Sequence, residues 1–218
     1  CPIYASKPLS VPEGSFSTPV DLNTTLIRTG IRSCPIGHSC VGGIKTACEN
    51  GVSFQDSDGQ ATCRPCSSCK PGEWRVIACT VTQDTVCQSC AGGAHHNGTN
   101  EAMLCKTCPA GYYCPRGADG PLPCGAASRY CPSNSSAPLT VGVGNYSGPV
   151  TDLRSKKETQ SWQVKCPPGA ACGAGERYDC EGGKTWQNSS GQTSCEMCST
   201  CSPGRFAERQ CTVEADRQ

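Results

Sequence analysis

The chain has 218 residues with 22 cysteines, 25 glycines and 17 prolines, but only three Phe, three Trp and two Met. Such a composition excludes one large apolar core and belongs to disulfide-stapled modules of secreted type, each too small to fold unaided. A net charge of +1, with 19 Lys and Arg scattered among 18 Asp and Glu, gives no basic stripe for nucleic acid and no polybasic cluster for anionic lipid, and no apolar run is long enough to span a bilayer.

Residues 1–33 form a β or linker stretch free of cysteine after Cys1, in which Val, Thr, Leu and Ile partly alternate between Pro and Gly breaks and predict short strands. Residues 34–63 are a first Cys-rich module with the spacing Cys-x5-Cys-x7-Cys-x14-Cys at Cys34, Cys40, Cys48 and Cys63. Residues 64–90 are a second, running from Cys66-Ser67-Ser68-Cys69 through Cys79 to Asp84-Thr85-Val86-Cys87 and Cys90. Residues 91–131 are a third, with Cys105, Cys108, Cys114, Cys124 and Cys131. A second Cys-free stretch fills residues 132–165. Residues 166–195, with Cys166, Cys172, Cys180 and Cys195, and residues 196–218, with Cys198, Cys201 and Cys211, close the chain. No segment carries the 3.6-residue period of an amphipathic helix. The expected fold is a tandem of small disulfide-rich modules, an elongated rod of short β-strands and loops with little or no helix.

The modules repeat. Residues 34–86 fall on residues 166–218 with a constant shift of 132, and upstream Cys1-Pro2 falls on Cys131-Pro132 with a shift of 130. Gly14-Ser15-Phe16-Ser17 likewise falls on Gly144-Asn145-Tyr146-Ser147. Repetition on this scale is the mark of an array whose units contact mainly their neighbours. Five of the seven asparagines, Asn23, Asn97, Asn134, Asn145 and Asn188, lie in Asn-x-Ser/Thr sequons. That excess predicts passage through a glycosylating route, with N-linked glycans on a chain at the cell surface or secreted.

Clustered Cys-x2-Cys pairs would read as zinc ligands in a cytosolic chain. Beside the sequons they read as disulfides, and no metal or other cofactor is expected. His95-His96 is read as a solvated loop tip beside Asn97 rather than a metal site, and His38 is isolated. No Ser/His/Asp set, carboxylate pair or phosphate-cradling glycine loop points to catalysis, so no catalytic residue and no enzyme is expected. Trp74 aligns with Phe206 and Phe54 with Trp186; these aromatics, with Tyr112 and Tyr113, are expected to cover disulfides as a miniature core.

The run Cys48-x14-Cys63-x2-Cys66-x2-Cys69-x9-Cys79, ending Asp84-Thr85-Val86-Cys87, resembles the cysteine-rich repeat of tumour necrosis factor receptors. The resemblance implies bonds Cys48 to Cys63, Cys66 to Cys79 and Cys69 to Cys87. In the second copy it implies Cys198 to Cys211, with Cys201 lacking a partner within the segment. The run Cys108-Pro-Ala-Gly-Tyr-Tyr-Cys114-Pro with Cys124 and Cys131 resembles the ephrin-receptor-like cysteine-rich repeats, which also occur in large protist surface proteins. That resemblance implies interleaved Cys108 to Cys124 and Cys114 to Cys131, with Cys90 bonded to Cys105. Two schemes stay open for the opening module: Cys34 to Cys40 with Cys48 to Cys63, or an interleaved Cys34 to Cys48 with Cys40 to Cys63. The interleaved form is favoured. The partner of Cys1 is expected before this segment, as are a signal peptide and any anchor outside it.

Tandem long units without catalytic residues lead to a structural expectation. The chain is read as a repetitive glycoprotein assembling with further copies of itself into an extracellular fibre, flagellar hair or surface coat, with no nucleic acid partner and no direct membrane insertion. The alternative is a receptor ectodomain gripping a protein ligand along its cysteine-rich edge.

Overall fold

Glycine sets where this chain turns, and the turns decide which cysteines meet. A computed structural model describes residues 7–19, 28–98, 104–149 and 159–218. Its strands form two-stranded antiparallel sheets, and none of the described residues is helical. They fall into two compact units, one of Cys1–Gln88 with Gly98–Leu104, the other of Ser89–Asn97 with Cys105–Gln218.

In the first unit β1 (Ser15–Pro19) pairs with β2 (Arg28–Ser33), β3 (His38–Val41) with β4 (Ile44–Ala47), β5 (Ser53–Phe54) with β6 (Arg64–Pro65), and β7 (Glu73–Ile77) with β8 (Val86–Ser89). In the second, short hairpins come first: β9 (Ala94–His95) with β10 (Lys106–Thr107), β11 (Tyr112–Tyr113) with β12 (Leu122–Pro123), and β13 (Arg129–Tyr130) with β14 (Leu139–Thr140). The pattern of the first unit then returns as β15 (Asn145–Pro149) with β16 (Gln160–Lys165), β17 (Ala170–Gly173) with β18 (Glu176–Asp179), and β19 (Thr185–Trp186) with β20 (Glu196–Met197).

The largest fully buried side chains are all cysteines: Cys34, Cys40, Cys90, Cys108, Cys114, Cys124, Cys131, Cys166 and Cys172. Disulfides are the core, and the described ones are all local, spanning at most 18 residues. Cys34 bonds Cys40 and Cys48 bonds Cys63, so the favoured interleaved scheme is wrong. Cys108 bonds Cys114 and Cys124 bonds Cys131, which corrects the interleaved pair implied by the ephrin-receptor resemblance. The second copy follows with Cys166–Cys172 and Cys180–Cys195. The physical reason is a glycine three residues after the first cysteine. Gly37, Gly111 and Gly169 hold φ of 74°, 85° and 79°, a left-handed turn that L side chains resist. The turn folds Cys-x5-Cys back on itself, and the paired Cα atoms lie 5.7–5.9 Å apart, inside the disulfide range. Cys66–Cys79, Cys69–Cys87, Cys90–Cys105 and Cys198–Cys211 complete the set, and Cys201 is free and exposed. Cys1 lies outside the described residues.

Each Cys-x5-Cys loop packs against a second glycine turn from an earlier strand. Cys34 N–H donates to Gly14 O, and Gly14 N–H to Cys40 O. Cys108 and Cys114 make the same two bonds with Gly93, and Cys166 donates to Gly144. The third edge of this ladder is another left-handed residue: Gly59 donates to Cys34 O, Gly191 to Cys166 O, and Asn134, at φ 67°, to Cys108 O. The loop thus occurs three times, and the copy at Cys108 is the one that linear alignment leaves out. Approach is so close that a Cβ on Gly14 would stand 2.0 Å from Gly59 O, and one on Gly144 2.1 Å from Gly191 O.

The cross-strand pairs of the two long hairpins trade sizes. Thr18 faces Gly30 in the first unit, and Gly148 faces Trp162 in the second, where a Cβ on Gly148 would run into the indole. Trp162 then meets Tyr146 edge to face at 5.8 Å, while Phe16, the equivalent of Tyr146, sits under Lys45 Nζ at 5.2 Å.

Two outcomes test this arrangement. Non-reduced peptide mapping is expected to return Cys108–Cys114 and Cys124–Cys131 as separate small peptides. Gly14→Ala is expected to cost about 1–3 kcal/mol in backbone strain alone and more from the clash, while Gly42→Ala, with open space around it, costs the strain only. Comparing the melting curves of the two variants checks the difference.

Candidate functional site

The segment 66–87 is held by two disulfides and one carboxylate. Cys66–Cys79 and Cys69–Cys87 fix the ends of β7 and the start of β8. Asp84 accepts from Ser67 N–H at 2.7 Å, from the Ser67 hydroxyl at 2.6 Å and from Thr85 N–H at 2.7 Å. The Ser67 hydroxyl, followed by the Ser67 amide, holds the Asp84 carboxyl below the usual carboxylate range. Asp216 does the same for Ser199 in the second copy, accepting from its amide and its hydroxyl, with the pKa lowered for the same first cause. The sequence signal for this clamp is the acidic residue 17 positions after the Ser of Cys-Ser-x-Cys, which spacing alone does not assign a role. A second anchor escaped sequence reading altogether. Gln55 and Gln187 are buried, and each donates its side-chain amide to the carbonyl of Thr62 or Ser194. Their backbone N–H groups donate to Val81 O and Val213 O, tying each opening module to the one after it.

Between these anchors β7 is presented outward. It is one strand of a two-stranded sheet, so one edge is unpaired. By the period of two, Trp74 and Val76 share one face and Arg75 and Ile77 the other. Val76 and Ile77 are each 42% exposed and Val86 on the neighbouring strand 40%. Arg75 is half-buried, and its Nε has no hydrogen-bond partner. Exposed valine and isoleucine on a strand with a free edge make a surface suited to a protein ligand.

The second copy carries other residues there. Val76 and Ile77 align with Glu208 and Arg209, and Phe206, the equivalent of Trp74, is 83% exposed; the positions equivalent to 87–89 lie past Gln218, so neither the strand that pairs with β7 nor the second disulfide is present to compare. Phe206 therefore departs from the expected disulfide cover, whereas Phe54 is buried and Trp186, Tyr112 and Tyr113 are half-buried.

His95 and His96 depart from a solvated loop tip: His95 lies in β9 and His96 is 3% exposed, its amide donating to Ala118 O. Among the described residues, one group of three His, Cys, Asp or Glu comes within metal-binding reach, Cys198, Cys211 and Asp216, and both its sulfurs are spent in a disulfide. Of the sequons, Asn97, Asn134 and Asn188 are exposed. Asn145 is half-buried in β15 with Nδ2 donating to Gln163 Oε1 at 3.3 Å. Asn23 lies outside the described residues.

Comparison with known proteins falls on the same segments. The family model described as TNFR/NGFR cysteine-rich region matches residues 48–87 and 180–218. Both stretches are cysteine-rich repeats of the tumour necrosis factor receptor type. Among curated proteins, human Tumor necrosis factor receptor superfamily member 10D is 38% identical over 87 residues, 38% of this chain and 22% of its own length. Member 10A is 39% identical over 71 residues, 32% of this chain and 14% of its own length, and member 10C 36% over 73 residues, 32% and 28%. The chain thus spans less than a third of each of these relatives. These matches overturn the fibre, hair or coat expected from the repeat. Each copy of the repeat contains a module of receptor type, and the relatives that share it carry receptor names. No described helix is long and apolar enough to cross a membrane.

Because the Asp84 pKa is depressed in the folded chain, its clamp adds stability above the unfolded carboxylate pKa, and that stability is lost as pH falls through the lower folded value. Amides around Ser67 and Thr85 are expected to exchange faster as pH is lowered below about 4. Asp84→Asn is expected to remove that pH-dependent part, which hydrogen exchange across an acid series measures after correction for intrinsic rates.

Proposed function

We propose that this chain is part of the extracellular, ligand-binding portion of a receptor, and that it engages a protein ligand of tumour necrosis factor type through the first receptor-like repeat. The observation that carries this reading is the coincidence of the family match at residues 48–87 with the open strand β7, where Val76 and Ile77 are exposed, as is Val86 on the neighbouring strand. Stapled at Cys66–Cys79 and Cys69–Cys87, the strand meets a ligand already ordered, which limits the entropy lost on binding. Trp and Arg, residue types that dominate interface hot spots, stand side by side at positions 74 and 75 of the same strand. The molecule acts by binding and not by catalysis, and N-linked glycans belong to its secreted or surface-exposed state.

Surface plasmon resonance against a panel of tumour necrosis factor-type ligands tests this. One ligand is expected to bind the secreted chain, and Val76→Asp with Ile77→Asp to weaken it about 30-fold or more, the loss of a hot spot. Glu208→Ala in the second copy is expected to leave binding unchanged. Binding by no ligand, or equal binding by the double Asp variant with its disulfides intact, overturns the reading.

A further inference from the structure

Phe54 and Trp186 are equivalent residues at the ends of β5 and β19, and their surroundings differ in one respect. In the first copy the cross-strand partner of Phe54 is Arg64, whose guanidinium lies 4.6 Å over the ring. Arg64 also pairs with Asp56, two residues beyond the phenylalanine, and Asp56 accepts the Ser57 hydroxyl at 2.9 Å. The covered ring is 4% exposed. In the second copy the partner of Trp186 is Glu196, a carboxylate that the negative face of an aromatic ring repels. Trp186 is correspondingly half-buried rather than buried. In place of Asp56 stands Asn188, exposed, its Oδ1 accepting the Ser189 hydroxyl at 2.9 Å as Asp56 accepts Ser57. Asn188 opens the sequon Asn188-Ser189-Ser190.

The surrounding scaffold is the same in both copies. Gln187 donates to Ser194 O and accepts from Ser189 N–H, as Gln55 donates to Thr62 O and accepts from Ser57 N–H. The side chain at 188 therefore springs from the same turn that, at 56, brings a carboxylate to the group stacked on the ring.

We propose that Asn188 carries an N-linked glycan whose first sugar lies on Trp186, filling the place that the Arg64 guanidinium fills over Phe54. A hexosamine ring presents a face of C–H groups, which bear the partial positive charge that an aromatic face attracts. Asn188 Oδ1 is held by Ser189, which leaves Nδ2 to carry the sugar. In the transfer, Nδ2 attacks C1 of an oligosaccharide borne on a polyprenyl diphosphate. The N–C1 bond forms, the C1–O bond breaks, one amide proton is lost and the lipid diphosphate leaves. The copies thus cover the same ring by two means, an ion pair in one and a sugar in the other. The inference rests on the secretory setting proposed above, but not on any ligand.

The test is glycopeptide mass spectrometry on the chain secreted from a glycosylating eukaryotic culture, with hydrogen exchange read over residues 185–197. Asn188 is expected to be occupied. Ser190→Ala, which abolishes the sequon but keeps Asn188, is expected to speed exchange there by about two- to fivefold, the loss of one exposed aromatic-face contact. In the Asn188→Asp, Glu196→Arg double variant, which restores the pairing of the first copy, slow exchange is expected to return without any sugar. A bare Asn188 beside an occupied Asn134 sinks the proposal and leaves the secretory reading standing; if both are bare, both fall. An occupied Asn188 with unchanged exchange in Ser190→Ala overturns the stacking.

Discussion

Everything in this fold depends on the small disulfide loop Cys-x5-Cys and on the backbone that closes around it. The loop has almost no side-chain volume to bury, so its stability comes from two sources. The disulfide removes freedom from the unfolded chain, worth about 2–3 kcal/mol for loops of this size. The paired cysteines also offer backbone N–H and C=O groups to a glycine turn on one side and a left-handed residue on the other. Those bonds form in a site where the sulfurs are fully buried, so each group left unpaired would carry its full desolvation cost. Glycine is required where a Cβ would collide with a carbonyl, which is why Gly14, Gly93 and Gly144 recur ahead of the three loops.

Once those loops are set, the receptor-like repeats need few further contacts. Gln55 and Gln187 each join a buried amide to two backbone groups, and a single N–H to Val81 or Val213 carries the connection into the next module. Asp84 and Asp216 then hold the turn that opens each repeat. Few side chains are consumed in folding, and most of the surface is left free to vary. That freedom lets Val76 and Ile77 in one copy stand where Glu208 and Arg209 stand in the other.

The phase of the cysteines made the modular character, the absence of helix and the receptor-type repeats readable in the sequence, because disulfide spacing is a direct trace of loop length. Pairing at Cys34, Cys40, Cys108 and Cys114 was not readable from spacing, which permits nested and interleaved bonds alike. The glycine at the fourth position of each loop was the discriminating signal. The third loop carries the same Cys-x5-Cys spacing and the same glycine, but Asn134 takes the left-handed position that Gly59 and Gly191 hold, so the ladder beside it has no glycine to mark it. Burial of His96 follows from a backbone bond to Ala118 across a gap of 22 residues, a contact no local pattern announces. The fibre was a wrong conclusion from a correct repeat, since tandem arrays serve filaments and receptors equally and only the content of the repeat tells them apart.

Duplication with a shared scaffold separates what the fold requires from what a site requires. Residues that agree between the copies, such as the glycine turns, the buried glutamines and the Ser–Asp clamp, are those with backbone partners. Residues that differ, Val76 against Glu208, Arg64 against Glu196 and Asp56 against Asn188, all project from that scaffold. The Cys198–Cys211 disulfide closes around Glu208 and Arg209 as Cys66–Cys79 closes around Val76 and Ile77, so that bond does not depend on apolar side chains at these two positions. Exposed valine and isoleucine there belong to the surface of the first repeat, and it is that surface which the proposed ligand contact uses.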